Sequence, residues 1–445
     1  MGWCEIAERL LAEPASEATH REAERYREIL SVEHVILWQM LSQANQGGPP
    51  PRIQVRRNPQ ARSARGSQGV ALSGTTIPAM TAYEFTDGAT AIVRGALDAG
   101  CDFFAGYPIT PASQILMMMM AELPKVGGIA MQGEDEIASI GMCIGATMAG
   151  ARSMTATSGP GISLYSENIG MAIMGEVPLV IVDVQRLGPS TGGATTAAQG
   201  DVQFVRWGTG GGYPIIALAP STIAECYTLT MKAFDLSERF RCPVFLLTDK
   251  ELNLTRNTVA TDAYVEVPVR ERELTGEGAP YRFGGDAAPM ELYGAGVVRF
   301  TGSSHDEEAI ISKDPAVVGR LNRHLRDKIM SHREEIELMQ IDRDPEATTL
   351  FVSYGITAGA MRDAVAMARV KGAHVSSVTV QSLWPIPETG LRSAFESIGR
   401  IVVGELNPGL YLREIERIAE DREVLGLNRI DGELISPVQF LEFLP

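Results

Sequence analysis

Cysteine is scarce and scattered: the 445 residues hold five, Cys4, Cys101, Cys143, Cys226 and Cys242, with no CxxC and no pair closer than the last two. Without such spacing the chain carries no zinc knuckle and no iron–sulfur cluster on its own cysteines. An odd, dispersed set reads instead as reduced thiols, most of them in the core. The six histidines form no HxxxH pair, so no metal centre made by this chain alone is expected. Positive charge is short too. Lys and Arg number 39 against 55 Asp and Glu, for a formal charge of −16 and a pI near 5.0. That argues against a nucleic-acid partner, because phosphate binding needs a basic surface. No apolar run reaches the roughly 20 residues of a bilayer-crossing helix, so no membrane span is expected. The opening "MGWCEIAERLLAEPASEATHREAERYREIL" is studded with acids, unlike a secretory leader, and Ile6 stands where a myristoylation site wants Ser or Thr. A cytoplasmic protein is the expectation. No GxGxxG follows a strand and no GxxxxGK[ST] exists, which removes the usual dinucleotide and P-loop readings.

What the chain does have is alternation of buried strands and helices. "CDFFAGYP", "ARSMTATS", "VPLVIVDVQR", "YPIIALAP" and "CPVFLLTD" read as strands, with helices such as "ATAIVRGALDAG" and "STIAECYTLTMKAFDLSERF" among them. This predicts an α/β fold: a mostly parallel, doubly wound sheet covered on both faces, over residues 81–266. Residues 267–345 read as a connector, Gly-rich and then a charged helix through "VVGRLNRHLRDKIMSHREEIELMQ". A second α/β unit over 346–445 opens with strand "TTLFVSYG" and helix "TAGAMRDAVAMARVKG". Ahead of all this, residues 1–80 read as a helical extension followed by an Arg/Pro-rich linker. From Gln46 to Gly69 that linker has five arginines, four prolines and no acid. It is either a plain tether or an arm for an acidic partner subunit.

Two turns draw the eye. "GYPITP" (106–111) and "SGPG" (158–161) each follow a strand and open a helix. Ligands of open parallel sheets bind at such carboxyl-end turns, where glycine permits close backbone approach and proline fixes the path. Each alone is a weak signal, but the ordered series is specific. "AGYPITPASQI", "QGEDEIASIGMCIGATMAG", "TATSGPGISLYSENIG", "VIVDVQRLGPSTG" and "AAQGDV" are followed by "GSSHDEE", "LWPIPE" and "ELNPG". The series resembles the α subunit of the 2-oxoacid:ferredoxin (2-oxoacid:acceptor) oxidoreductases from about Ala82 to the C-terminus, with no counterpart for residues 1–75.

The resemblance implies a pyrimidine-binding domain for thiamine diphosphate and a transketolase C-terminal-like domain. It implies a partner β subunit that carries the diphosphate-binding half with its Mg²⁺. Iron–sulfur clusters would sit on partner subunits only, and ferredoxin-like and γ subunits complete the complex. The family's GDG…N magnesium segment is indeed missing here. The implied reaction is oxidative decarboxylation of a 2-oxo acid, with coenzyme A collecting the acyl group and electrons leaving through the partners. Carried over residue by residue, Glu136 matches the glutamate at N1′ of the aminopyrimidine, with Glu134 second; helix-dipole stabilisation is the plainer role for either. Thr110 matches the threonine beside the thiazolium, and is equally a helix N-cap. Arg186 matches the arginine that receives the substrate carboxylate. Tyr107, Pro108, Ile109, Ser158 and Gly159 would line the cofactor.

Relatives acting on 2-oxoglutarate tend to read STGLPTKxEQ after the arginine. Here the text is "STGGATTAAQ", with Thr196 at the lysine position and Ala194 and Ala198 at the proline and glutamate positions. If this loop lines the pocket, an unpaired distal carboxylate would be costly. The expected substrate is then an uncharged oxo acid, aryl such as phenylglyoxylate or branched-chain, unless Arg206 or Lys250 replaces the lysine. The alternatives are a 2-oxoglutarate enzyme, a non-oxidative thiamine decarboxylase half, or a non-catalytic assembly subunit. Residues 1–75 are expected to dock a neighbouring subunit.

Overall fold

The computed structural model describes residues 82–274, 279–293 and 298–444, all of which fall in one compact unit. The readings made for the N-terminal extension, the Arg/Pro-rich linker and Cys4 lie outside the described residues.

A short antiparallel pair comes first, β1 (Tyr83–Thr86) on β8 (Asn257–Ala260). Next to it, α1 (Gly88–Asp98) begins at Asp87, whose side chain accepts the Thr90 N–H at 2.8 Å. The main sheet contains β2 (Phe103–Gly106), β3 (Ile129–Gln132), β4 (Ser153–Thr157), β5 (Leu179–Gln185), β6 (Ile216–Leu218) and β7 (Pro243–Asp249), all parallel. In β4, β5 and β7 every residue is buried, which explains why these strands read as continuous apolar runs rather than alternating ones. Helices α2 (Ser113–Glu122), α3 (Glu136–Met148), α4 (Pro160–Leu164), α5 (Ser166–Met174), α6 (Val202–Trp207), α7 (Ile223–Phe240) and α8 (Lys250–Leu254) connect them.

The second sheet holds β10 (Thr349–Ser353), β11 (Val375–Val380), β13 (Arg400–Glu405) and β14 (Glu423–Asn428) in parallel, in the order β14-β13-β10-β11. Two details depart from the sequence reading. The long charged helix stops early: α9 (Pro315–Met330) ends, and Met339–Asp342 becomes β9, an antiparallel edge strand on β11. The run "SLW" (382–384) forms β12 and pairs antiparallel with β6, so the second unit closes the edge of the first sheet. The Trp384 indole N–H donates to the Val202 carbonyl at 3.0 Å, fixing that crossing. One apolar cluster accordingly runs through both sheets, from Ile140 and Ile181 to Leu350, Trp384 and Tyr411.

The connector is irregular but held. Arg241 is buried, and its guanidinium donates to the carbonyls of Pro280 and Ala288 while Tyr281 and Met290 are buried around it. Cys101, Cys143, Cys226 and Cys242 are all buried free thiols, and burial pushes Cys143 and Cys242 up to about 12, which leaves them inert.

Candidate functional site

The "GYPITP" turn leaves β2 at Gly106 and carries Tyr107, Pro108 and Thr110 to the surface before α2 begins. Thr110 is not the helix cap: Ala112 occupies the N-cap position and makes no side-chain cap. The Asn253 amide holds the turn from α8, donating to the Pro111 carbonyl at 3.1 Å.

Arg186, just past the end of β5, is 5% exposed and ties three segments together. One guanidinium nitrogen donates to the Thr110 carbonyl, the other to the Thr191 carbonyl at 3.1 Å. Its Nε has no partner. Gly159 of the second turn lies directly against it: a Cβ there would stand 3.1 Å from that Nε. Gly159 also has φ +49 with ψ −112, a backbone that side-chain-bearing residues rarely adopt. Both features require glycine.

The acids of "GEDE" are sorted by the start of α3. Glu134 and Asp135 are exposed, and the Asp135 carboxylate caps the helix by accepting the Ala138 N–H at 2.7 Å. Glu136 turns inward and is buried. No hydrogen-bond donor among the described residues reaches its carboxyl. It faces the second turn, since a Cβ on Gly161 would fall 2.9 Å from its Oε1 and 2.1 Å from the Thr157 hydroxyl. Asp135 caps α3, while Glu136, in the helix's first turn, directs its carboxyl inward toward the second turn. The structure thus joins Thr110, Ser158, Gly159 and Arg186 in one cluster and adds Glu136 through Gly161.

Among the described residues the Ser158 hydroxyl and Arg186 Nε are buried without a hydrogen-bond partner. Exposed Tyr107 and Ile137 supply apolar surface at the rim. An open carboxyl beside apolar walls fits an aminopyrimidine, whose ring nitrogen needs such a group. Among the described residues no group of three or more His, Cys, Asp and Glu side chains is placed to hold a metal ion.

Comparison with known proteins bears on the same segments. Residues 94–323 match the family described as pyruvate flavodoxin/ferredoxin oxidoreductase, thiamine diphosphate-binding, and residues 347–440 match pyruvate:ferredoxin oxidoreductase core domain II. The chain belongs to this oxidoreductase family. It is 42% identical over 368 residues to a 2-oxoglutarate synthase subunit KorA of Methanothermobacter marburgensis, covering 81% of this chain and 98% of that one. To a ketoisovalerate oxidoreductase subunit VorB of Methanothermobacter thermautotrophicus it is 34% identical over 362 residues, 81% and 97% of the two chains. A solved 2-oxoglutarate:ferredoxin oxidoreductase from Magnetococcus marinus, with 2-oxoglutarate, coenzyme A and succinyl-CoA bound, superposes with a TM-score of 0.75 at 27% identity. That superposition covers 96% of this chain and 74% of the other.

The loop after Arg186 meets the site through the Thr191 carbonyl, not through residue 196. Thr196 does not line the Arg186 cluster: a Cβ on Gly432 of the second unit would be 2.1 Å from its methyl group. Ala197 packs with Phe351 and Ala358, also of the second unit. The two stand-in cations are occupied as well. Arg206 stacks 3.8 Å over the Trp207 ring and donates to the Tyr213 carbonyl, and Lys250 pairs with Glu251. Sequence reasoning also missed Asp183, Gln199 and Asp249, which are buried, and Asp201, which is half-buried with its Oδ2 enclosed. Their signal was a polar residue inside or just beyond an apolar run, as in "LVIVDVQ" and "VFLLTD".

Proposed function

We propose that this chain is the thiamine-binding α subunit of a coenzyme A-dependent 2-oxoacid:ferredoxin oxidoreductase whose substrate is 2-oxoglutarate. The observation that carries the reading is Glu136, a buried carboxyl without a donor, set between α3 and the glycine turn. Thiamine diphosphate, when bound, supplies the carbon centre at which a 2-oxo acid can lose CO₂. The task of Glu136 is to hold a proton at N1′ of the aminopyrimidine, which makes the neighbouring amino group basic. Tyr107, Pro108 and Ile109 flank the ring, and the Ser158–Gly159 turn approaches it with backbone. Arg186, pinned through two of its nitrogens, presents its Nε–H and its charge to the substrate carboxylate, with Thr110 beside it. The diphosphate with its Mg²⁺ falls to a partner β subunit, and electrons leave through iron–sulfur and γ subunits.

The choice of 2-oxoglutarate rests on the relatives: the KorA chains match at higher identity than the VorB chains over a similar length. A second reading, an aryl or branched-chain oxo acid, is supported by the VorB relatives, named as ketoisovalerate oxidoreductase subunits, at 33–34% identity. Anaerobic viologen reduction by the native complex, with and without coenzyme A, decides between them. The panel is 2-oxoglutarate, 2-oxoisovalerate, phenylglyoxylate and pyruvate. Coenzyme A-dependent turnover highest with 2-oxoglutarate supports the first reading, and preference for an uncharged side chain supports the second. Decarboxylation without any viologen reduction would defeat both in favour of a non-oxidative enzyme.

A further inference from the structure

Two carboxyl groups buried against each other cannot both ionise cheaply, so one of them keeps its proton. Such a pair lies at the carboxyl end of β5. Asp183 is 0% exposed, and neither of its oxygens meets an N–H or hydroxyl donor among the described residues. At its level in the sheet stand Thr157 of β4 and Leu247 of β7, neither of them charged. The carboxyl that bears on it electrostatically is that of Asp201, held to this end of β5. Asp201 is fixed from its backbone, whose N–H donates at 3.1 Å to Oε1 of Gln185, two residues along the same strand. Its Oδ2 is buried without a donor. The charged group facing Asp201, besides Asp183, is Arg186.

We propose that Asp183 stays protonated and donates to Asp201, and that the charge of Asp201 sets how strongly Arg186 attracts the substrate carboxylate. Asp201 is thus a positioning residue for the 2-oxo acid, acting through Arg186, and the proposal rests on the role given to Arg186 above. Burial raises the Asp183 carboxyl well above the ordinary range. It raises Asp201 to about 7 against the pull of Arg186. When Asp201 is neutral, Arg186 meets the substrate with its charge undivided. When Asp201 is ionised, it competes with the substrate for that charge, so KM for the 2-oxo acid rises with pH through neutrality. The other acid nearby is Asp249, paired in register with Gln185. Its carboxyl is satisfied by the N–H groups of Ile356 and Leu252 and by the Gln199 amide, and does not belong to the pair.

The test uses the assembled complex. Asp201→Asn removes the charge and is expected to lower KM by about three- to tenfold on the alkaline side and to flatten its pH dependence, with little change in kcat. Asp183→Asn keeps an N–H donor toward Asp201 and is expected to retain the inflection, whereas Asp183→Leu moves it upward. Infrared difference spectroscopy gives a readout independent of turnover: at a pH above the Asp201 titration, where only Asp183 of the pair keeps its proton, one protonated-carboxyl component is lost in Asp183→Asn. A wild-type KM–pH profile in Asp201→Asn, or a protonated-carboxyl spectrum at that alkaline pH unchanged by Asp183→Asn, overturns the proposal. Arg186→Gln is measured alongside. If it raises KM while Asp201→Asn changes nothing, only the present proposal fails; if Arg186→Gln leaves KM untouched, the role of Arg186 fails and this proposal falls with it.

Discussion

At the scale of single residues, the site depends on which polar atoms are left open. Asp135 spends its carboxylate on the helix cap, and Glu136, the next residue, reaches the interior with no donor to satisfy it. Glu136→Gln keeps the shape and removes the acid. The expected result is a fall in kcat of about 10²–10⁴, the range for a general acid–base group. Assembly and thermal stability should remain near wild type, as checked by viologen reduction and size-exclusion chromatography. A variant of unchanged turnover would return Glu136 to an ordinary structural role. The GYPITP turn with Thr110 was legible because glycine and proline punctuate it, whereas Glu136 and Arg186 were singled out only by the resemblance to the family's motifs. Gly161 was legible only as a glycine; that a Cβ there would collide with the Thr157 hydroxyl and press on Glu136 is a fact of packing. Asp183 was harder still, since one acid in "LVIVDVQ" does not announce its partner eighteen residues on in the sequence.

Between elements, a polar seam joins the carboxyl ends of the two sheets, and Gln199 is its centre. Its amide donates to the Tyr354 carbonyl at 3.2 Å, and its Oε1 accepts from the Thr357 hydroxyl and the Leu406 N–H, each at 3.1 Å. Its backbone pairs with Leu406 and Asn407. Asn407 in turn shares Glu405 with Tyr354. Leucine at 199 would strand several buried groups at once, and each orphan costs roughly 1–3 kcal/mol. Gln199→Leu should therefore lose about 2–4 kcal/mol in chemical denaturation, with the second unit more open to proteolysis. A loss confined to a few tenths would show that the seam is not a source of cohesion. The strand–helix alternation of both units was readable from hydrophobic runs. The seam was not, and neither was β12, a three-residue strand that leaves its own unit to finish the other sheet. Short strands carry too little periodicity to signal a partner, and such long-range pairings are set by tertiary contacts alone.

For the molecule as a whole, two buried acidic systems oppose each other across pH. Glu176 is fully buried and accepts from Lys328 Nζ at 2.9 Å and from His324 Nε2, while Arg241 holds its backbone carbonyl. Burial alone would raise this carboxyl, but Lys328 and His324 hold it far below the ordinary range. Its contribution is thus present above the unfolded value of 4.5 and is lost as pH falls beneath it. Asp183 and Asp201 run the other way. The folded chain keeps protons that an unfolded Asp, near 3.8, would release, so their contribution is present at low pH and declines as pH rises toward about 7. Between these limits the acid pair titrates together with Asp249, which burial raises to about 6 and which acts in the same direction. The Tm of the complex should therefore fall by about 2–4 °C on going from mildly acidic to mildly alkaline buffer, a slope that Asp201→Asn flattens. Lys328→Met should instead lower Tm throughout, by the equivalent of about 3–5 kcal/mol, because it strands a buried charge. A Tm that climbs with pH in the wild type would mean that Asp201 is ionised across the whole range, and that the acid pair does not hold its proton.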